Sequence, residues 1–143
     1  MKNPGLAPKQ MGVYIILRGN NEPPAFLEKG TGGFFKGKDP NVTKAELESN
    51  WISNTPIMYI GKAGGIGKPT TLYNRLNQYM KFGQGQNIGH KGGRYIWQLA
   101  DSRDLVVCWK NIVEEEPRDV ERDMIQDFKA CHNDRRPFAN LKD

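Results

Sequence analysis

Gly12-Val13-Tyr14-Ile15-Ile16-Leu17 is a run of β-branched and aromatic residues with no charge inside it, and it reads as a strand. Ile57-Met58-Tyr59-Ile60 reads the same way and is expected to end at Gly61. Leu105-Val106-Val107-Cys108-Trp109 is a third strand of this kind. Helical patterns separate these runs. Thr43 with Glu46 three residues on resembles a capping box and opens a short helix to about Trp51. Thr70 or Thr71 caps a helix to about Phe82, with Leu72, Leu76, Tyr79 and Met80 as its apolar stripe. Pro117 suits the first turn of a last helix that runs to about His132. A short strand over Ala25 to Glu28, and a short helix from Arg94 to Ala100 anchored by Trp97, complete the expectation. The fold class is α+β: a small, mainly antiparallel three-stranded central sheet flanked by helices. A loop-and-helix segment, about residues 18–56, is inserted between the first two strands.

The 143 residues suit one domain. Hydrophobic residues make up 37% and charged residues 26%, as in a globular chain. No apolar run is long enough to cross a bilayer. The N-terminus has no apolar signal core, so a cytoplasmic location is expected. Cys108 and Cys131 form no C-x-x-C pair and are expected to be reduced, partly buried thiols. Lys and Arg number 21 against 16 acids, a net charge of +5 that favours polyanions. Basic residues sit among glycines and aromatics in Phe34-Phe35-Lys36-Gly37-Lys38 and His90-Lys91-Gly92-Gly93-Arg94-Tyr95. Lys36, Lys38, His90, Lys91 and Arg94 are the candidate DNA contacts; a flexible loop that leads into a packed Trp97 is the plainer alternative.

Phosphate-loop motifs fail. A G-x-x-x-x-G-K-[ST] frame that ends at Gly67-Lys68 needs Gly at 62 and Ser or Thr at 69, where the chain has Lys62 and Pro69. The informative anomaly is in the last helix. Glu121 lies within the apolar stripe of Val120, Met124, Ile125 and Phe128. A carboxylate there is costly unless it is paired or holds a cation. A rotated helix or a buried Arg partner would also explain it. Arg75 flanks the stripe of the 72–82 helix, and its planar guanidinium suits a phosphate, although a solvated flank is the commoner role.

Together these residues resemble the GIY-YIG nuclease family. Gly12-Val13-Tyr14 is similar to the first element of the family name, with Val for Ile, and Tyr59-Ile60-Gly61 matches the second. Lys62 and Ala63 extend the match towards the branch that includes the excision-repair incision subunit. Leu72 to Tyr79 resembles the helix that carries the family's Arg, here Arg75, with Tyr79 one turn on. Glu121 falls where the family has its metal-binding Glu. Pro137-Phe138-Ala139-Asn140 resembles the closing element that supplies an Asn. The chain departs from the family in the 18–56 insertion and in a second insertion, residues 64–71.

The resemblance implies an endonuclease that hydrolyses DNA phosphodiester bonds with one Mg²⁺ or Mn²⁺ held by Glu121. Arg75 would clamp the phosphate and Tyr79 would support it. Tyr14 or Tyr59, the choice left open, would take a proton from water in the field of Lys62, Arg75 and the metal. Asn140 would be a positioning hydrogen-bond partner. Duplex, branched or damaged DNA is the expected substrate. The chain is expected to be a stand-alone domain over residues 1–143 without a fused DNA-reading module, monomeric or homodimeric, with specificity supplied by a partner protein. The competing reading is a catalytically weak module that binds branched or damaged DNA with or for a partner.

Overall fold

Tyr14 and Gly61 face each other across two antiparallel strands, and this pair sets the register of a computed structural model that describes residues 7–32, 39, 41–85 and 94–141. Strand β1 is Gly12–Leu17, β2 is Ile57–Ala63 and β3 is Val106–Asn111. Their order is β2-β1-β3, with both pairings antiparallel. Helix α1 is Lys44–Asn50, α2 is Leu72–Gly83 and α3 is Pro117–Cys131. The expected α+β fold with a three-stranded antiparallel sheet is therefore present.

Alternation along β1 sorts its side chains between two cores. Tyr14 and Ile16 pack with Leu72, Leu76 and Tyr79 of α2. Ile15 joins Ile60 and, from α3, Ile125 and Phe128. The three strands thus form a layer between α2 and α3. A methyl group on Gly61 would lie 2.4 Å from Cζ of Tyr14, so glycine is what lets that ring lie against β2. Gly12 is constrained as well, because a Cβ there would meet the Lys110 carbonyl oxygen at 2.2 Å.

Four expectations need correction. β2 does not end at Gly61; it runs on to Ala63, because Gly61 is paired with Tyr14 inside the ladder. Residues 25–28 contribute one isolated bridge, Phe26 to Leu99, instead of a strand. The 94–100 helix is a single 3₁₀ turn, Ile96–Gln98, although Trp97 is buried as expected. Both differences have one cause. The buried Gln98 amide donates to the carbonyls of Leu27 and Val42, and its oxygen accepts from the Val42 N–H. Local hydrogen bonds are spent on joining the insertion to this turn. Cys108 and Cys131 are free but exposed, not partly buried.

The insertion is part of the core. Arg18 is buried, pairs with Asp101 at 2.9 Å and lies over the Trp51 ring. Phe26, Trp51 and Tyr95 surround Phe138 with ring centroids 5.2–5.8 Å from it. The segment after α3 then closes the outer edge of β2: Ala139 N–H donates to the Met58 carbonyl at 2.9 Å. Among the described residues no helix is long and apolar enough to cross a membrane.

Gly61→Ala should destabilise the protein by about 1–3 kcal/mol, because the Tyr14 ring must leave its place. Urea titration of both proteins measures this; an unchanged midpoint would show that the ring has room to move.

Candidate active site

The site is built where β2 meets both helices. Tyr59 is on the α2 face of β2, opposite Ile16, and Lys62 is on the α3 face, opposite Val13. Thr71 starts α2 with a reciprocal capping box to Asn74, which places Arg75 one turn in. On α3, Ile125 and Phe128 pack with Ile60, and the turn before them brings Glu121 towards Lys62, two positions further along β2. Four separate elements therefore supply Tyr14, Tyr59, Lys62, Arg75 and Glu121.

The tyrosine rings of 14 and 59 lie 5.9 Å apart, tilted by 46°. The Tyr14 hydroxyl is enclosed near Tyr59 and Arg75, yet makes no hydrogen bond of normal geometry. Burial pushes the Tyr14 phenol well above its ordinary range; Tyr59 pushes it further, and Arg75 only partly opposes the rise. Tyr59 is also raised by burial, but Arg75 is its strongest opposing influence and Tyr14 helps to lower it. Both phenols stay protonated at neutral pH, so the field of Lys62 and Arg75 does not by itself produce a phenolate. Tyr79 is fully buried beside this pair, and its phenol is raised by burial and by both tyrosines. It faces the core and packs on Trp97, with centroids 5.0 Å apart.

Glu121 is half-buried. Burial raises its carboxyl above the usual range, opposed by Lys62, Arg75 and Arg118. Arg118 was not singled out in the sequence, although its i−3 spacing to Glu121 is the signal that would have found it. One carboxylate thus faces three cations. That balance attracts a phosphate and disfavours a tightly resident divalent cation. Among the described residues no group of three or more His, Cys, Asp and Glu could hold a metal. The donor set still fits Mg²⁺ or Mn²⁺ in one way. Glu121 is a hard oxygen ligand that makes no ion pair with a cation among the described residues, and a cation sharing it with water and phosphate oxygens would keep its preferred coordination.

Asn140 lies behind the site. Its amide donates to the Ile60 carbonyl at 2.9 Å and accepts from the Ile60 N–H at 3.0 Å. It holds the backbone between Tyr59 and Gly61. Arg94 is apart from the cluster, over the Tyr95 ring, whose hydroxyl donates to Glu46. Burial and Glu46 push the Tyr95 phenol up to about 12. Lys36, Lys38, His90 and Lys91, with Phe34 and Phe35, lie outside the described residues. A groove of about 420 Å³ runs between β3 and α3, lined by Tyr14, Cys108, Met124, Glu115, Asp123 and Asp127 among others. Its carboxylates would repel a phosphate backbone.

No family model matches this chain, and no solved structure matches it. Among curated proteins it is similar to the queuine tRNA-ribosyltransferases of three strains of Vibrio cholerae serotype O1, at 24% identity. The alignment covers 92% of this chain and 37% of each relative, so the chain spans little more than a third of their length.

Because the folded state raises the Glu121 pKa, the folded protein binds more protons than the unfolded chain between the ordinary carboxylate pKa and the raised one. Stability therefore falls as pH rises through that window. Glu121→Gln should melt higher than the wild type at pH 7, and the difference should vanish at acidic pH where both side chains are neutral. Equal melting temperatures at pH 7 would mean that the carboxylate carries no net burial cost.

Proposed function

We propose that this chain is a divalent-metal-dependent endonuclease of the GIY-YIG type that hydrolyses phosphodiester bonds in DNA. The observation that carries this reading is the meeting of Tyr14, Tyr59, Lys62, Arg75 and Glu121, from four elements, around one half-buried carboxylate and two enclosed phenols. Lys62, Arg75 and Arg118 give a phosphate its counter-charges, with Arg75 best suited to clamp two oxygens as negative charge develops. Glu121 would hold a Mg²⁺ or Mn²⁺ ion, which when bound would neutralise charge on the phosphate and on the leaving oxygen.

Tyr59 is the better placed base. Arg75 favours its phenolate, and the Tyr14 hydroxyl beside it can donate to that phenolate. Asn140 keeps the Tyr59–Gly61 backbone straight from behind. The names of the curated relatives refer to tRNA. At this identity and coverage their activity does not carry over, but a folded tRNA belongs in the substrate panel beside plasmid, branched and single-stranded DNA. Preferential action on tRNA would move the reading towards RNA.

Glu121→Ala should abolish metal-dependent cleavage while keeping or strengthening DNA binding, because a phosphate-repelling charge is gone. Arg75→Ala should lose activity and weaken binding modestly. Plasmid nicking and gel-shift assays with Mg²⁺, Mn²⁺ and chelator test both; full activity in Glu121→Ala would refute the site. With a phenol raised above its ordinary range as base, the cleavage rate should climb about tenfold per pH unit across the neutral range. A rate already flat at pH 7 would remove Tyr59 from that role.

A further inference from the structure

The connection from β2 to α2, residues 64–71, springs from between two cations of the site, Lys62 and Arg75. It bears an oddity: Ile66 is 62% exposed at its tip. Nothing in the local backbone asks for isoleucine there. The tip is a tight turn in which the Lys68 N–H donates to the Gly65 carbonyl at 3.0 Å, and the residue forced into the left-handed region is Gly67, at φ +76°. The base of the loop is fixed by Gly64, at φ +75°, where a Cβ would run into the Thr70 carbonyl oxygen at 2.2 Å.

The loop is also fastened to the third element of the site. Glu116 occupies the N-cap of α3 but its side chain makes no capping bond there. Its carboxylate accepts instead from the Ile66 N–H at 3.1 Å, and a Cβ on Gly65 would meet it at 2.4 Å. Glu116 lies two residues before Arg118 and five before Glu121. A turn fastened to Glu116 thus holds one branched apolar side chain in solvent, flanked by the exposed Lys68, in the loop that joins Lys62 on β2 to the helix of Arg75. Apolar side chains placed this way next to a phosphate-binding surface act on nucleic acid by entering between base steps.

We propose that the 64–71 loop is a wedge for duplex DNA: Ile66 inserts at a base step next to the cleaved phosphate and selects duplexes whose stacking is already weak. This rests on the DNA-cleaving reading above. The energetic argument is that insertion costs stacking, so a mismatched or flexible step is entered at lower cost than a well-stacked one. Burial of the isoleucine side chain repays that cost, and is large enough to be read as roughly tenfold in affinity or more.

The test uses the full chain in chelator, so that no cleavage occurs. Two short duplexes carry 2-aminopurine, one beside a mismatched pair and one fully paired. The wild type should bind the mismatched duplex preferentially and raise its fluorescence as the base unstacks. Ile66→Ser should bind the paired duplex as the wild type does, but lose about tenfold of the preference together with the fluorescence rise. Ile66→Met should restore both, which separates a wedge from a general loop defect. An unchanged preference and signal in Ile66→Ser, or no fluorescence rise with the wild type, would overturn the proposal, even if the protein cuts DNA. Isoleucine-dependent unstacking in a protein that never cuts with Mg²⁺ or Mn²⁺ would keep the wedge and overturn the nuclease reading instead.

Discussion

The close approach of the Tyr14 ring to Gly61 is the constraint on which the rest depends. It admits no side chain on β2 at that position, and it keeps the ladder running past the glycine to Ala63. Because β2 continues, Lys62 remains on a rigid strand and faces α3, while Tyr59 faces α2. One cross-strand contact therefore fixes which site residue emerges on which side. The helices follow from the same sheet: α2 covers the face with Tyr14, and α3 covers the face with Ile15 and Ile60.

Burial and charge oppose each other throughout the site. Desolvation is the largest influence on Tyr14, Tyr59 and Glu121, and in each case it favours the neutral form. Arg75 opposes it in all three. That guanidinium is the electrostatic link between the phenol pair on one face of the sheet and the carboxylate on the other. The surface divides in the same sense. Asp119, Asp123 and Asp127, four residues apart, form an exposed acidic stripe along α3, with the exposed Glu115 just before the helix, while Arg118 and Glu121 lie off that stripe. Arg122 pairs with Asp119 at 3.3 Å and with Asp123 at 3.9 Å, so part of the stripe's charge is balanced locally.

Insertions that look dispensable in one dimension prove structural. The 18–56 segment is held by the buried Arg18–Asp101 pair, by Gln98, and by Phe26 and Trp51 around Phe138. An unpaired Gln98 or Arg18 would be costly in that setting, so these contacts bind the insertion to the fold. The C-terminal Ala139 and Asn140 cover the outer edge of β2, protecting it from pairing with another chain.

Local pattern alone determined the three strands, the cap at Thr43, the cap of α2 to within Thr70 or Thr71, Pro117 at the start of α3, and the anomaly of Glu121 on an apolar stripe. Each depends on neighbours within a few positions, where periodicity and capping chemistry act. Beyond that range the sequence was silent. It did not announce that Gly61 would stay inside a strand, because the reason is a ring 47 positions earlier in the chain. Nor did it announce Arg118 beside Lys62 and Arg75, the clasp of Glu116 on Ile66, or the burial of Gln98 and Arg18. Only the tertiary structure decided these, because desolvation and pairing depend on which distant groups exclude water from one another.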